Sequence, residues 1–186
     1  KRVPGYRQEE GVAADSVAET YAALKLHIDN WRWKGVPFYM RTGKRLAAAH
    51  WHIALRLRRP PHQIFSRSPQ PNWILISMQP EESLRMEVNA KLPDTEIDTR
   101  VLQLHASYRE GSAIGLDAYA TLLLDVIEGD RKLFIRYDEV EWAWRVIDPV
   151  LKVWDANREA IATYAAGTWG PSQADALLEG EWRDSV

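Results

Sequence analysis

Period-two alternation dominates the first half of the chain. In "LKLHI", Leu24, Leu26 and Ile28 alternate with Lys25 and His27, which predicts a strand with one solvated face. After the polar break "NWRWKG", the run "VPFYMRT" resumes an extended segment. "HWHIALRLRR" alternates again, placing Trp51, Ile53, Leu55 and Leu57 on one face and His52, Arg56 and Arg58 on the other. The Pro-rich "PPHQIFSRSPQP" reads as a loop that no helix crosses, and it places His62 in an exposed position. "NWILISM", "SLRMEV" and "VLQLHAS" read as three further strands.

After Gly115 the period changes. In "LDAYATLLLDVIEG", Tyr119, Leu122, Leu123, Val126 and Ile127 recur at helical spacing, and Gly129 closes the run. A second helix is predicted from Asp138, with Glu141 as its capping-box partner and an apolar stripe of Val140, Trp144, Ile147, Leu151 and Trp154. Pro149 should bend it, at about 3 kcal/mol in an unrelieved interior. Residues 1–16 read as an irregular lead-in, and the tail after "AAGTWG" as a loop and one short helix. Strands in a row and then helices in a row predict one α+β domain, a large mainly antiparallel β-sheet followed by helices, over residues 1–186. Neither strand–helix–strand alternation nor a G-x-G-x-x-G turn occurs, which excludes a Rossmann unit from these residues.

Composition narrows the function classes. At 186 residues, with 46% apolar and 27% charged positions, the chain is long enough to bury a core. A net charge of −2 predicts no nucleic-acid or anionic-membrane partner, and no apolar run approaches a bilayer span. The absence of cysteine rules out disulfides and thiolate metal sites, and suits a cytoplasmic protein. Nine tryptophans point to large covered surfaces, subunit interfaces among them. The opening "KRVPGYRQEEGVAADS" has no initiator Met and reads as the middle of a longer protein.

Few residues suggest chemistry. His27 and His52 fall on predicted polar faces, the facing of His105 is ambiguous, and His50 with His52 lacks a nearby carboxylate, so no metal site is predicted. No Ser/His/Asp or Cys/His arrangement can be argued. The acidic groups Glu9–Glu10, Glu81–Glu82 and Asp138–Glu141 read as turn and cap chemistry, and Arg56–Arg59 as a guard on a strand edge. "PFYMRTGKRL" is more suggestive. It is not a nucleotide P-loop, because Phe38 stands five before Gly43 and Arg45 follows Lys44. Gly43 permits a turn or a close backbone approach, and Lys44 is then offered at a strand end, where it could meet a phosphate or carboxylate as a point charge. From spacing alone a solvated surface lysine is the favoured reading.

"NWRWKGVPFYMRTGKRL" resembles the strand and turn of glucose-6-phosphate dehydrogenases, with their W-x-G-V-P-F-x-x-R-x-G-K block. "GYRQEEGVAADSVAETYAALKLHIDN", "ISMQP", "DAYATLLLDVIEGD", "RYDEVEWAWRVIDPVL" and "GTWGPSQADALL" are similar to further blocks of that family, in order along essentially the whole chain. The resemblance implies a C-terminal domain whose large sheet forms the subunit interface, as homodimer or tetramer, and one wall of the sugar-phosphate pocket. It implies an NADP-binding Rossmann domain and a catalytic histidine upstream of Lys1, and hence no catalytic residue here. The whole enzyme would oxidise glucose 6-phosphate at C1 to 6-phosphogluconolactone, the first step of the pentose phosphate pathway, and this chain alone would be inactive. Lys44 matches the lysine at the sugar phosphate and Gln79 a position near the sugar, with Arg41 and Arg45 as possible support. Where the family commonly carries a second basic phosphate contact, the chain has Ala49, with Arg45 or His50 as substitutes. "DAYATLL" departs from the family's charge at Ala120. Some members hold a second, structural NADP against this sheet. Arg41 matches one of its ligands, but Ser77 replaces an arginine, so that site is not expected. The alternative from another class is a non-catalytic assembly or scaffold module on the same sheet.

Overall fold

A computed structural model describes residues 3–59, 69–93, 98–108, 118–180 and 182–184. His62 and most of the Pro-rich loop lie outside the described residues. Six strands run in chain order: β1 (Tyr21–His27), β2 (Pro37–Gly43), β3 (Trp51–Arg56), β4 (Trp73–Gln79), β5 (Ser83–Lys91) and β6 (Thr99–Ser107). Two helices follow, α1 (Ala118–Glu128) and α2 (Tyr137–Ala156). Every pairing among the described strands is antiparallel, and the α+β class is as predicted. The strands divide into a β1–β2 hairpin and a four-stranded sheet ordered β3-β4-β5-β6.

The register sorts the four-stranded sheet into two unlike faces, since directly paired residues point the same way. One face carries the rows Leu55–Ile74–Met86–Leu104 and Ile53–Ile76–Leu84–Ala106. It is open: Ile53, Leu55 and Leu104 are 47%, 42% and 55% exposed. The other face carries Ala54–Leu75–Arg85–His105 and His52–Ser77–Ser83–Ser107. There Leu75 is fully buried and Ser77, Ser83 and Glu87 nearly so.

This corrects the polar-face placement of His52. His52 lies on the face that the C-terminal segment covers, bonded to the Arg183 carbonyl, and is half-buried while Ile53 and Leu55 face out. The bulge between Trp51 and His52 shifts only the register of Trp51. His27 is exposed, as predicted. The expected core is also thinner than chain length suggested, because a sheet covered on one face buries few side chains completely. Among the described residues, Leu75, Ala174 and Pro69 are the buried apolar ones.

Helix α1 ends where predicted, at a left-handed Gly129 with φ of 72°. Helix α2 begins one residue before Asp138, and its cap differs from the predicted Asp138–Glu141 pair. Glu139 reaches back to accept the Arg136 N–H at 2.8 Å, while Asp138 pairs with the Arg136 guanidinium at 2.7 Å. The helix continues through Pro149 to Ala156. Its predicted stripe is uncovered at one end, where Val140 and Trp144 are exposed, as are Leu123, Val126 and Ile127 of α1.

A C-terminal strap crosses the buried face and joins hairpin to sheet. Glu179 pairs with Lys25 at 3.2 Å and accepts from Arg56 through its carbonyl at 3.0 Å. Trp182 packs edge-on against Tyr39. Arg183 lies over the Trp73 ring at 4.5 Å and pairs with Glu87 at 3.4 Å. Arg56 of the edge strand β3 is thus tied to the strap.

Candidate functional site

The turn that carries Lys44 is built on Tyr21. Strand β2 ends at Gly43, where an added Cβ would stand 2.8 Å from Tyr21 Cδ2 and 3.1 Å from Leu46 Cδ2. The close approach expected of this glycine is therefore real. On the other side, Gly170 adopts φ of 110°, and its added Cβ would fall 2.3 Å from Tyr21 Cε2. The Tyr164 ring packs against Tyr21 with centroids 5.5 Å apart.

Backbone hydrogen bonds then fix the turn. The Lys44 N–H donates to the Thr20 carbonyl at 2.8 Å, the Gly167 N–H to the Arg45 carbonyl at 2.8 Å, and the Ala47 N–H to the Thr168 carbonyl at 3.0 Å. These contacts hold Arg45 at φ of 50°, a left-handed conformation that costs a non-glycine residue about 1 kcal/mol. The Tyr164 hydroxyl lies 2.7 Å from the Lys44 carbonyl and 2.9 Å from that of Thr20.

Above this fixed backbone the Lys44 side chain is exposed, and among the described residues its ammonium has no hydrogen bond or ion pair. An unpaired cation on a rigid base suits recognition of an anion as a point charge. Arg41 is placed differently. Its guanidinium is stacked between Trp169, at 5.1 Å, and Trp182, at 4.6 Å, and forms an ion pair with Asp184. Burial lowers its pKa, with Tyr21 and Asp175 opposing. A desolvated cation between two indoles gains about 2 kcal/mol, so Arg41 clamps the strap to β2.

Arg45 pairs with Glu9 at 2.5 Å, which draws the N-terminal lead-in against the turn. Ala49 is exposed between this turn and β3. Gln79 ends β4 opposite Trp51, is exposed, and precedes a cis peptide to Pro80. Lys44 and Gln79 therefore belong to different sheets, and among the described residues no hydrogen bond joins them.

His52 is the other half-buried titratable group of interest. Its Nε2 sits 2.6 Å from the Arg183 carbonyl, so Nε2 carries the proton, while Nδ1 is buried without a partner among the described residues. A second proton would have no acceptor. Burial, only partly offset by the Arg183 carbonyl, accordingly pulls the pKa below the ordinary 6.5. A folded-state pKa below the unfolded one means that the unfolded chain binds more protons in the window between them, so this contribution to stability is present above pH 6.5 and lost as pH falls. Thermal melts between pH 7.5 and 5 are expected to show a falling midpoint that His52→Gln flattens; an equal fall in both proteins would contradict the assignment.

Among the described residues, no group of three His, Asp or Glu side chains could hold a metal ion, and no helix is long and apolar enough to cross a membrane. A shallow depression formed by the loop that precedes α2 and its first turn, lined by Arg131, Phe134, Arg136 and Glu139, includes neither Lys44 nor Gln79. Sequence reasoning missed Tyr164, Tyr21 and Gly170 as the parts that set the turn. The only local signal was the clustering of glycines with Trp169 in "GTWG".

Residues 1–184 match the family model of the glucose-6-phosphate dehydrogenase C-terminal domain. Glucose-6-phosphate 1-dehydrogenase of Rhizobium meliloti is 43% identical over 193 residues, covering 99% of the chain and 39% of that protein. That of Treponema pallidum is 42% identical over 184 residues, covering 96% of the chain and 36% of the protein. The chain thus spans about two fifths of the curated relatives it matches. A crystal structure of the Mycobacterium avium glucose-6-phosphate 1-dehydrogenase superposes with a TM-score of 0.80 at 34% identity, over 98% of the chain and 39% of that structure. A glucose-6-phosphate dehydrogenase in complex with its substrate glucose-6-phosphate gives 0.83 at 30% identity, over 94% and 37%. By this match along its whole length, the chain belongs to the glucose-6-phosphate dehydrogenase family, in the part that forms the C-terminal domain.

Proposed function

We propose that the chain is the C-terminal portion of an NADP-dependent glucose-6-phosphate dehydrogenase, contributing one wall of the sugar-phosphate pocket and the subunit interface. The whole enzyme oxidises glucose 6-phosphate at C1 to 6-phosphogluconolactone, the entry step of the pentose phosphate pathway, in the cytoplasm. This reading rests above all on the family match from residue 1 to 184. It is supported by the substrate complex of a relative that shares the fold.

Lys44 meets the sugar phosphate. Its unpaired ammonium supplies charge and position, while its tied backbone limits the entropy lost on binding. Gln79 serves the sugar. Arg45 can add to the phosphate site only by leaving Glu9, and Arg41 acts through the strap that supports β2. Among the described residues all strand pairing is antiparallel, without the parallel strand–helix–strand unit that cradles a dinucleotide pyrophosphate. The catalytic NADP, in this reading, is held together with the catalytic base by residues outside the chain.

The open apolar face of the four-stranded sheet, with Ile53, Leu55 and Leu104 exposed, is the surface for self-association, as homodimer or tetramer. One preparation tests both parts of the proposal. The purified chain is expected to self-associate by light scattering and to reduce no NADP with glucose 6-phosphate. Turnover by the chain alone would contradict the incomplete site, and a clean monomer at high concentration would contradict the interface.

A further inference from the structure

Taking Lys44 as the phosphate contact, we infer that Tyr164 is a positioning residue for it. Its hydroxyl fixes the carbonyl of the very residue whose ammonium meets the ligand. The two are 120 residues apart in the chain, yet the hydroxyl stands 2.7 Å from the Lys44 carbonyl and 2.9 Å from the Thr20 carbonyl. One hydroxyl proton is shared between the two acceptors. Among the described residues it is the hydrogen-bond partner that the Lys44 carbonyl has.

Thr20 also accepts the Lys44 N–H, so a single phenol closes a ring through both backbone groups of Lys44 and the residue that precedes β1. The neighbouring bonds from Gly167 to Arg45 and from Ala47 to Thr168 hold the far side of the turn and do not touch Lys44. Without the hydroxyl, the Lys44 carbonyl loses its tie to the C-terminal segment, and the backbone that carries the ammonium is held less firmly, by the Thr20 bond to its N–H and the bonds on the far side of the turn. The Tyr164 ring packs on Tyr21 independently of the hydroxyl, which separates positioning from packing. Lys44 is thereby held from the C-terminal segment as well as from its own strand.

The test is a double-mutant cycle on Lys44→Ala and Tyr164→Phe in the full-length dehydrogenase. Phenylalanine keeps the ring and removes only the hydroxyl. Tyr164→Phe is expected to raise the KM for glucose 6-phosphate about threefold to tenfold, as for one lost hydrogen bond. The kcat and the KM for NADP should stay within about twofold. In the Lys44→Ala background the same change is expected to have no further effect on KM, because the residue it positions is gone. An unchanged KM in Tyr164→Phe, or the same increase with and without Lys44, would overturn the inference while leaving Lys44 in place. An unchanged KM in Lys44→Ala would instead remove the phosphate reading, and the inference with it.

Discussion

Replacing Lys44 by alanine is expected to raise the KM for glucose 6-phosphate in the full-length enzyme about tenfold to a hundredfold, the cost of one charge-assisted contact. The thermal midpoint should not change. That split follows from the geometry, since the side chain is exposed and has no described partner, whereas the backbone hydrogen bonds survive the substitution. The kcat should fall little, because a phosphate contact remote from C1 holds ground state and transition state alike. A large loss of kcat at unchanged KM would place Lys44 in the chemistry instead.

Gly170→Ala is expected to have the largest effect on stability. The new methyl would fall 2.3 Å from Tyr21 Cε2, at a backbone φ of 110° that side chains rarely adopt. The ring cannot simply swing away, because Gly43 and Tyr164 flank it. Overpacking and backbone strain together should cost about 3 kcal/mol, or about 10 °C in the thermal midpoint. Gly167→Ala separates the two causes. Gly167 has φ of 83° but nothing within 4 Å of its added Cβ, so it carries strain alone and should cost only about 1 kcal/mol. Equal losses in the two variants would contradict the packing of Tyr21 between two glycines. Since Tyr21 also underlies the turn of Lys44, Gly170→Ala should raise KM as well.

All six strands were legible, β1 and β3 from their alternation and the others as short apolar or β-branched runs between turn signals, and the end of α1 because Gly129 is a strong stop signal. Which face of a strand is covered was less legible. The alternation of β3 separates Ile53 and Leu55 from His52 correctly, but hydropathy suggested that the apolar side faces inward. The structure covers the His52 side with the strap and leaves the apolar side open. Nothing periodic announces the strap, since Arg41 meets Trp169, Trp182 and Asp184 across more than a hundred residues of sequence. For the same reason Arg41 looked available for an anion, while its surroundings commit it to the fold. At the candidate site, Gly43 and Lys44 were legible as a turn with a cation. Tyr164 was not, because a single hydroxyl that reaches two backbone carbonyls leaves no pattern in sequence.

Lys44 as the receptor of a sugar phosphate is tested most directly by calorimetric binding of glucose 6-phosphate and of glucose to the full-length enzyme, wild type and Lys44→Met. Methionine keeps the unbranched stem and removes only the charge. The wild type should prefer the phosphorylated sugar strongly, and the variant should lose most of that preference while its weak affinity for glucose stays the same. A variant that still distinguishes the two sugars as the wild type does would contradict the assignment.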